Sequence, residues 1–332
     1  MMEPAYTLEL FDASRRDAFD AIFARMAPDI DPAVQARRRW WCFDNPRGGV
    51  FALFHDGEQI AATCYLASKT LAFGDRNDGG FAIGYEIGET ATDPRHQRRG
   101  LFSKLVKASV AHAGESGRPL VYGTPNSQST PGYAKLGFEI VESPRSWLFL
   151  LPSLRHAIGR LLRRRPKTVG AGGARGRSEI AADAYVAATV DYPRLNAGGR
   201  DYLAWRVAET PMGYRFAQID TRSGRFECAI KVAPLGEHTV VVIAEYFLNG
   251  VRPPLGAVAG LLRRVVADLA PAPSALGIYV HGERPSGLAL ARLYAARVIP
   301  HRVLPICATG TQEGRGDAAW FGRFQLSDCD IG

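Results

Sequence analysis

Over the first 150 residues, apolar positions return with two different periods. In 12–27 (DASRRDAFDAIFARMA), Phe19, Ile22, Phe23 and Met26 recur at three- and four-residue spacing behind the capping residues Asp12 or Ser14, which predicts a helix. The runs 50–55 and 59–66 are short, apolar and joined at Asp56-Gly57, the mark of a hairpin. A further strand is expected over 81–92 and a helix from about 100 to 113, with Leu101, Leu105 and Val106 on one stripe. LVYG (120–123) reads as a strand, 130–136 as a helix, and 138–151 as a strand interrupted by Pro144. Helix, antiparallel strands, strand, helix, strand, helix, strand is an α/β layout.

The second half echoes the first. Trp41 to Gly48 resembles Trp205 to Gly213 with one insertion. The strand TVVVIAEYF (239–247) precedes a helical stretch at 256–269, and ALGIYV (275–280) follows as LVYG does. Leu293-Tyr294 to Ile299 then sits where Gly132-Tyr133 to Phe138 sat. An internal repeat of one α/β unit is the simplest account. It divides the chain into a domain at 1–151, a joint at 152–178 and a second domain at 179–332.

Charge sharpens the picture of the joint. The chain of 332 residues carries 41 Lys+Arg against 33 Asp+Glu. Residues 155–177 hold eight of the cations and no acid, so the remainder is formally neutral at 33 against 33. That disfavours a whole-surface nucleic-acid binder. The segment reads either as a solvated linker or as an anchor on an acidic partner, with weak membrane-surface contact through 155–165. The five cysteines are odd in number, scattered and without a CxxC pair, so neither a disulfide framework nor a zinc site is indicated, and a reducing, cytoplasmic setting fits. The early residues are polar and acidic rather than a signal peptide, and no run reaches the ~18 apolar residues of a membrane span. His55, His96 and His112 share no ligand spacing with a carboxylate or cysteine, so no metal is expected.

The most informative stretch is Thr92-Asp-Pro94-Arg-His-Gln97-Arg98-Arg99-Gly100-Leu101-Phe102-Ser103-Lys104. A strand ends, a proline-marked turn follows, and a helix opens at a glycine. The first N–H groups of a helix lack partners within it and the helix dipole is positive there, which makes an anion site. Gly100 lets the backbone approach a bulky anion, Arg98 and Arg99 add charge, and a pyrophosphate is a natural ligand.

Gln97-Arg-Arg-Gly100-Leu-Phe102 resembles the Gln/Arg-x-x-Gly-x-Gly/Ala pyrophosphate loop of the GNAT superfamily of acyl-CoA-dependent N-acetyltransferases. It matches at the first four positions and departs at the sixth, where Phe102 replaces a small residue. Pro125-Asn126-Ser-Gln-Ser129-Thr-Pro-Gly-Tyr133-Ala-Lys-Leu-Gly137-Phe138 is similar to that family's second signature, Asn…Tyr-x-x-x-Gly-Phe. The resemblance is clear over about 5–150 and faint beyond. It implies a mixed, mostly antiparallel sheet flanked by helices, in two similar domains, the second a degenerate copy. It implies acetyl-CoA as co-substrate, with Thr92, Gln97, Arg98, Arg99, Gly100, Leu101, Phe102, Asn126 and Ser129 as its contacts.

The chemistry implied is attack of an amine on a thioester. An alkyl amine of pKa about 10 must lose its proton, the carbonyl oxygen must be stabilised, and the departing thiolate takes a proton. The resemblance makes Tyr133 the acid and Glu86, eleven residues before Gln97, the base. Glu89 and a water chain compete with Glu86, and on a regular strand 86 and 89 face opposite sides unless a bulge intervenes. Asn126 reads either as a cofactor contact or as a turn residue after Pro125. No cysteine lies near the motif in sequence, so transfer is expected to be direct, within a ternary complex. In the second half, Pro253 and Pro254 remove N–H donors from the place equivalent to the anion loop, so no CoA is expected there. The paired Trp40/Trp41 and Trp205 read as packing aromatics. The acceptor would be a small primary amine, an amino sugar among the candidates. A catalytically inactive CoA-binding scaffold, or an interaction protein docking through 155–177, are the alternatives.

Overall fold

The computed structural model describes residues 6–11, 16–26, 28–57, 59–73, 80–118, 120–150, 179–192, 198–221, 224–235, 238–250, 275–279 and 298–309. The basic segment, the expected helix at 256–269 and the Tyr294 stretch lie outside them. In the first half the elements are β1 (Thr7–Phe11), α1 (Arg16–Met26), α2 (Pro32–Phe43), β2 (Gly49–Asp56), β3 (Gln59–Phe73), β4 (Gly80–Thr92), α3 (Leu101–Glu115), β5 (Val121–Gly123), α4 (Thr130–Lys135) and β6 (Glu139–Leu150). The second half supplies β7 (Glu179–Ile180), α5 (Ala182–Thr189), α6 (Gly199–Leu203, continued by a π turn to Ala208), β8 (Arg215–Thr221), β9 (Gly224–Leu235), β10 (His238–Gly250), β11 (Ala275–Tyr279) and β12 (Val298–Thr309). Among the described residues no helix is long and apolar enough to cross a membrane.

The twelve described strands form one sheet in the order β1-β2-β3-β4-β5-β12-β6-β11-β10-β9-β8-β7. The order is unchanged when β1–β6 are exchanged with β7–β12. Two pairs are parallel, β4 with β5 and β10 with β11, and the other ladders are antiparallel. The last strand of each half has crossed over: β12 lies between β5 and β6, and β6 lies between β12 and β11. The sheet is thus continuous across the boundary expected at 152–178. Among the described strands, continuity leaves β1 and β7 as the edges, the parts of a sheet that invite unwanted pairing. Prolines sit badly in inner strands; here the β12–β6 register slips between His301 and Val303 and again before Pro305, and the second slip skips Pro144.

Alternation along β3 sorts the first half's core into two faces. Cys64 and Leu66 pack with Leu101, Leu105 and Val106 of α3, Tyr85, Ile87, Val121, Tyr133 and Phe138. Tyr65 and Ala67 point the other way, into Phe19 and Phe23 of α1, Trp40, Trp41 and Phe43 of α2, Phe51, and Tyr202 and Trp205 of the second half. Trp40 stacks on Trp205 with ring centroids 4.5 Å apart and planes 23° off parallel. A third cluster joins Tyr185, Val186, Leu203, Val207, Phe216, Ala229 and Phe247 within the second half.

Two departures from the expected pattern matter for the site, α2 and the length of β3. α2 is not anticipated, because Arg37-Arg38-Arg39 followed by the apolar run Trp40-Trp41-Cys42-Phe43 breaks helical period. All four of those last residues are buried, since the helix end is sandwiched between the sheet and the second half. Its start is conventional: Asp31 accepts from the Ala33 N–H at 2.7 Å and Pro32 opens the first turn. β3 continues to Phe73 rather than stopping near 66, through the polar Ser68-Lys69-Thr70.

Candidate active site

β4 ends at Thr92, and Asp93 turns the chain. The Asp93 carboxylate accepts from the Arg95 N–H at 3.0 Å, from the Arg95 guanidinium at 3.1 and 2.9 Å, and from Arg25 at 3.1 Å. The Arg95 contacts above all, then Arg25, hold the buried Asp93 well below the usual carboxylate range. One turn of 3-10 helix, Pro94–His96, follows. His96 is buried, with Nδ1 3.1 Å from the Tyr6 hydroxyl, and Arg99 donates to that same hydroxyl at 2.9 Å. These contacts pin the loop from both ends.

Between the pins the backbone is left-handed at Arg98 (φ 62°) and at Gly100 (φ 72°). A non-glycine residue in that region costs about 1 kcal/mol, so Arg98 stores strain at the loop's tip. The bend delivers the chain into the open N-terminus of α3, where main-chain N–H groups have no partner inside the helix. A Cβ at Gly100 would meet nothing within 4 Å, so this side of the loop is open. Gln97, Arg98, Arg99 and Gly100 are exposed, and Leu101 is buried and anchors the first turn. Phe102 does not lie idle: its ring meets Tyr133 edge-on at 5.3 Å and occupies the space where Gly132 lacks a side chain, 2.6 Å from a Cβ placed there. The large residue at the loop's sixth position is matched by a glycine on α4.

β4 and β5 pair only at Tyr85↔Val121 and Glu86↔Tyr122. β5 ends at Gly123 while β4 runs on to Thr92, so the two strands part just beyond Glu86. In the other ladder, Thr63↔Ala91 and Tyr65↔Gly88 leave Glu89 and Thr90 opposite Cys64 alone, which is a β-bulge, with Glu89 at φ 45°. The buried Tyr133 reaches this point from α4: its hydroxyl lies 3.3 Å from Thr90 Oγ1. Thr90 also donates to Cys64 Sγ at 3.4 Å. A cysteine therefore does lie beside the site, contrary to the spacing in sequence, but burial pushes its thiol up to about 11 and leaves it protonated. Asn126 proves to be a turn residue, its carboxamide oxygen accepting from the N–H of Gln128 and Ser129, both at 2.9 Å, and from the Ser129 hydroxyl at 3.1 Å. It shapes the entry to α4 and so sets Tyr133.

The bulge also decides where the two glutamates point. Glu86 is 3% exposed and its carboxylate sits 2.8 Å from the ammonium of Lys69, itself 1% exposed. Trp41 closes that space, its ring 2.9 Å from where a Cβ at Gly88 would be. Glu89 pairs with Arg38 of α2 at 3.2 Å. Both carboxylates thus face the α2 side, not opposite sides as a regular strand requires. Lys69 in turn donates to the Tyr202 hydroxyl at 3.1 Å, a contact between the halves. Sequence reasoning misses Lys69, Thr90 and Tyr202; of these only Lys69 carried a signal, a charge at an inward-facing position of an apolar strand. Among the described residues no group of His, Cys, Asp or Glu is arranged to hold a metal ion.

A strand that parts from its parallel neighbour, a bulge on the same strand and a left-handed loop at its end lie together, and the comparisons speak to the same stretch. Residues 18–141 match the family model of the acetyltransferase (GNAT) domain. The chain carries a GNAT acetyltransferase domain. Solved structures share the fold across nearly its whole length. A GCN5-related N-acetyltransferase from Anabaena variabilis superposes with a TM-score of 0.62 at 10% identity, over 91% of this chain and 72% of that one. One from Kribbella flavida gives 0.58 at 16% identity, over 91% and 71%. A conserved protein from Enterococcus faecalis described as a probable N-acyltransferase gives 0.58 at 13% identity, over 92% and 72%. No curated protein matches the sequence. The GNAT domain supports acyl transfer in general, and the mixed, mainly antiparallel sheet with flanking helices is that of these neighbours.

Proposed function

We propose that the protein transfers an acetyl group from acetyl-CoA to a primary amine by direct attack within a ternary complex. The observation that carries this reading is the meeting of three features on β4: its divergence from β5 after Glu86, the bulge at Glu89–Thr90 touched by the Tyr133 hydroxyl, and the left-handed loop 98–100 at its end. Acetyl-CoA, when bound, supplies the thioester. The N–H groups opening α3, with Arg98 and Arg99, suit its diphosphate. Main-chain groups freed by the parting of β4 from β5, and by the bulge, suit the pantetheine arm and the carbonyl oxygen. In this reading the Tyr133 hydroxyl, beside Thr90 at the bulge, gives its proton to sulfur as the C–S bond breaks. The Glu86 carboxylate, on the α2 side of β4, is the proton acceptor this reading favours, with Glu89 the alternative three residues along. A neutral Cys64 is a poor nucleophile, which favours direct transfer over an acyl-cysteine. A small amine, an amino sugar among them, is the acceptor class.

The test is a panel of amines read by free-thiol release from acetyl-CoA, run beside Tyr133→Phe. The variant is expected to slow turnover about 100-fold with acetyl-CoA binding kept. Unchanged rates remove Tyr133 from the reaction, and binding with no turnover of any amine turns the reading into that of an inactive CoA-binding protein.

A further inference from the structure

We propose that Lys69 is a positioning residue, held by Tyr202 of the second half, that keeps Glu86 ionised and oriented for the incoming amine. This rests on the reading of Glu86 as the group that meets the acceptor. Lys69 stands on β3 with its ammonium wholly buried, 2.8 Å from Glu86 Oε2 and 3.1 Å from the Tyr202 hydroxyl. The same ammonium lies 5.9 Å from the Trp41 ring centroid and 5.7 Å from that of Tyr202, within cation–π range.

Titratable and charged groups from several elements stand around Glu86. Lys69 comes from β3, Tyr122 is its register neighbour on β5, Tyr202 closes over Lys69 from α6, and the Glu89–Arg38 pair lies further along the same face. A buried ion pair is weak as a stabilising device, since apolar residues of the same volume often serve as well. Its place here, where β4 leaves β5, gives it another use. An adjacent ammonium favours the charged form of a carboxylate, whereas apolar surroundings alone favour the neutral acid. Lys69 therefore sets Glu86 as an anion before any amine arrives, and Tyr202 makes that setting depend on the second half. Without Lys69, burial would favour the neutral acid of Glu86, the form that cannot accept the amine's proton.

The experiment uses the full chain. Lys69→Met keeps the volume and removes the charge. At neutral pH and without ligand, its infrared spectrum is expected to show a carboxylic-acid C=O band that is absent from the wild type and from the Lys69→Met/Glu86→Gln double variant. No such band in Lys69→Met overturns the role of Lys69. With acetyl-CoA and the best amine of the panel, Lys69→Met is expected to turn over about tenfold more slowly at neutral pH and to recover as pH rises and Glu86 ionises again. A loss equal at every pH overturns the proposal. Should Lys69→Met not fold, Tyr202→Phe keeps the ring and is read in the same way: a smaller loss in kcat with the same recovery at higher pH is expected, and a wild-type profile overturns the proposal. Glu86→Gln separates the two layers. Wild-type turnover in that variant overturns the reading of Glu86 itself, even where the band appears. Lost turnover in Glu86→Gln beside a band-free Lys69→Met overturns Lys69 alone.

Discussion

β4 beside β5 and β10 beside β11 are built alike and equipped differently. Each is a parallel pair inside an otherwise antiparallel sheet, and each strand carries a bulge close to where the pairing ends: β4 at Glu89–Thr90 after Glu86, β10 at Ala244 after Ile243. Beyond β4 come the left-handed residues and open helix start at 98–101. Beyond β10 the sequence is Val251-Arg252-Pro253-Pro254, in which two donors are missing. The carboxylates differ as well. Glu86 holds a lysine at the strand's parting, while Glu245 is buried under the Tyr185 hydroxyl at 2.7 Å, among the aromatics of its own half. Parting and bulge belong to the topology; ligand chemistry belongs to the donors and charges placed at the strand's end. The two strand ends share the first and differ in the sequence that would supply the second.

The largest effect is expected where the halves meet. Trp205 stacks on Trp40, and the Arg206 guanidinium lies 5.6 Å from the Trp40 ring. Trp205→Ala should cost about 3–5 kcal/mol in denaturant unfolding followed by fluorescence and circular dichroism. Because β12 and β6 are exchanged, the loss should come in one transition. Two separable transitions would show that the halves fold independently and that their contrast is one between free-standing domains.

Asp93, the residue that turns β4 into the loop before α3, comes next. Its folded-state pKa is depressed by Arg95 and Arg25, so its stabilising effect is present above the unfolded value of about 3.9 and is lost as pH falls through and below it. Asp93→Asn should destabilise by about 1–2 kcal/mol at neutral pH, a figure reduced for the solvent screening of the half-exposed Arg95. The gap between variant and wild type should close on acidification below about pH 4. A gap independent of pH would mean that the hydrogen-bond pattern, not the charge, holds the turn.

Gly100 tests the loop itself. A Cβ there meets no atom but forces a side chain onto a left-handed backbone, so Gly100→Ala should weaken acetyl-CoA binding by calorimetry about tenfold. Gly250→Ala, at the end of β10, should leave that heat unchanged. A loss from the second variant would erase the distinction between the strand ends.

Much of the first half is legible in the sequence because local signals and tertiary demands agree there. β4, α3, α4 and β6 fall within about two residues of their expected bounds, and the loop at 97–100 announces itself by a glycine between a strand and a helix. What fails to show is whatever the far half supplies. Four consecutive buried residues ending α2 make no helical pattern until Trp205 is known to cover Trp40. Lys69 shows only as a charge at an inward-facing position of its strand; the partners that enclose it, Glu86 and Tyr202, do not show. The placement of Glu86 and Glu89 on one face depends on one unpaired residue opposite Cys64, which no composition reveals. The exchange of β6 and β12 pairs residues about 150 positions apart, beyond any periodicity argument.

Glu227 offers the smallest effect and the most direct contrast with Asp93. It too is fully buried, but its surroundings are aromatic and its partners weaker: the Tyr192 hydroxyl donates at 3.2 Å and Arg225 stands 3.7 Å away. Burial outweighs both and pushes its carboxyl up. The sign is therefore opposite to that of Asp93. The folded state holds the proton to higher pH than the unfolded chain, so stability is full below the unfolded value of about 4.3 and declines as pH rises through the folded one. Glu227→Gln keeps an acceptor for Tyr192 and removes the charge. It should gain up to about 1 kcal/mol at neutral pH, gain nothing near pH 4, and leave acetyl-CoA turnover as in the wild type. A variant that folds as well as wild type but loses turnover would place working chemistry on β9 and β10, and the second half would then have to be read as an active partner rather than as the wall behind Lys69.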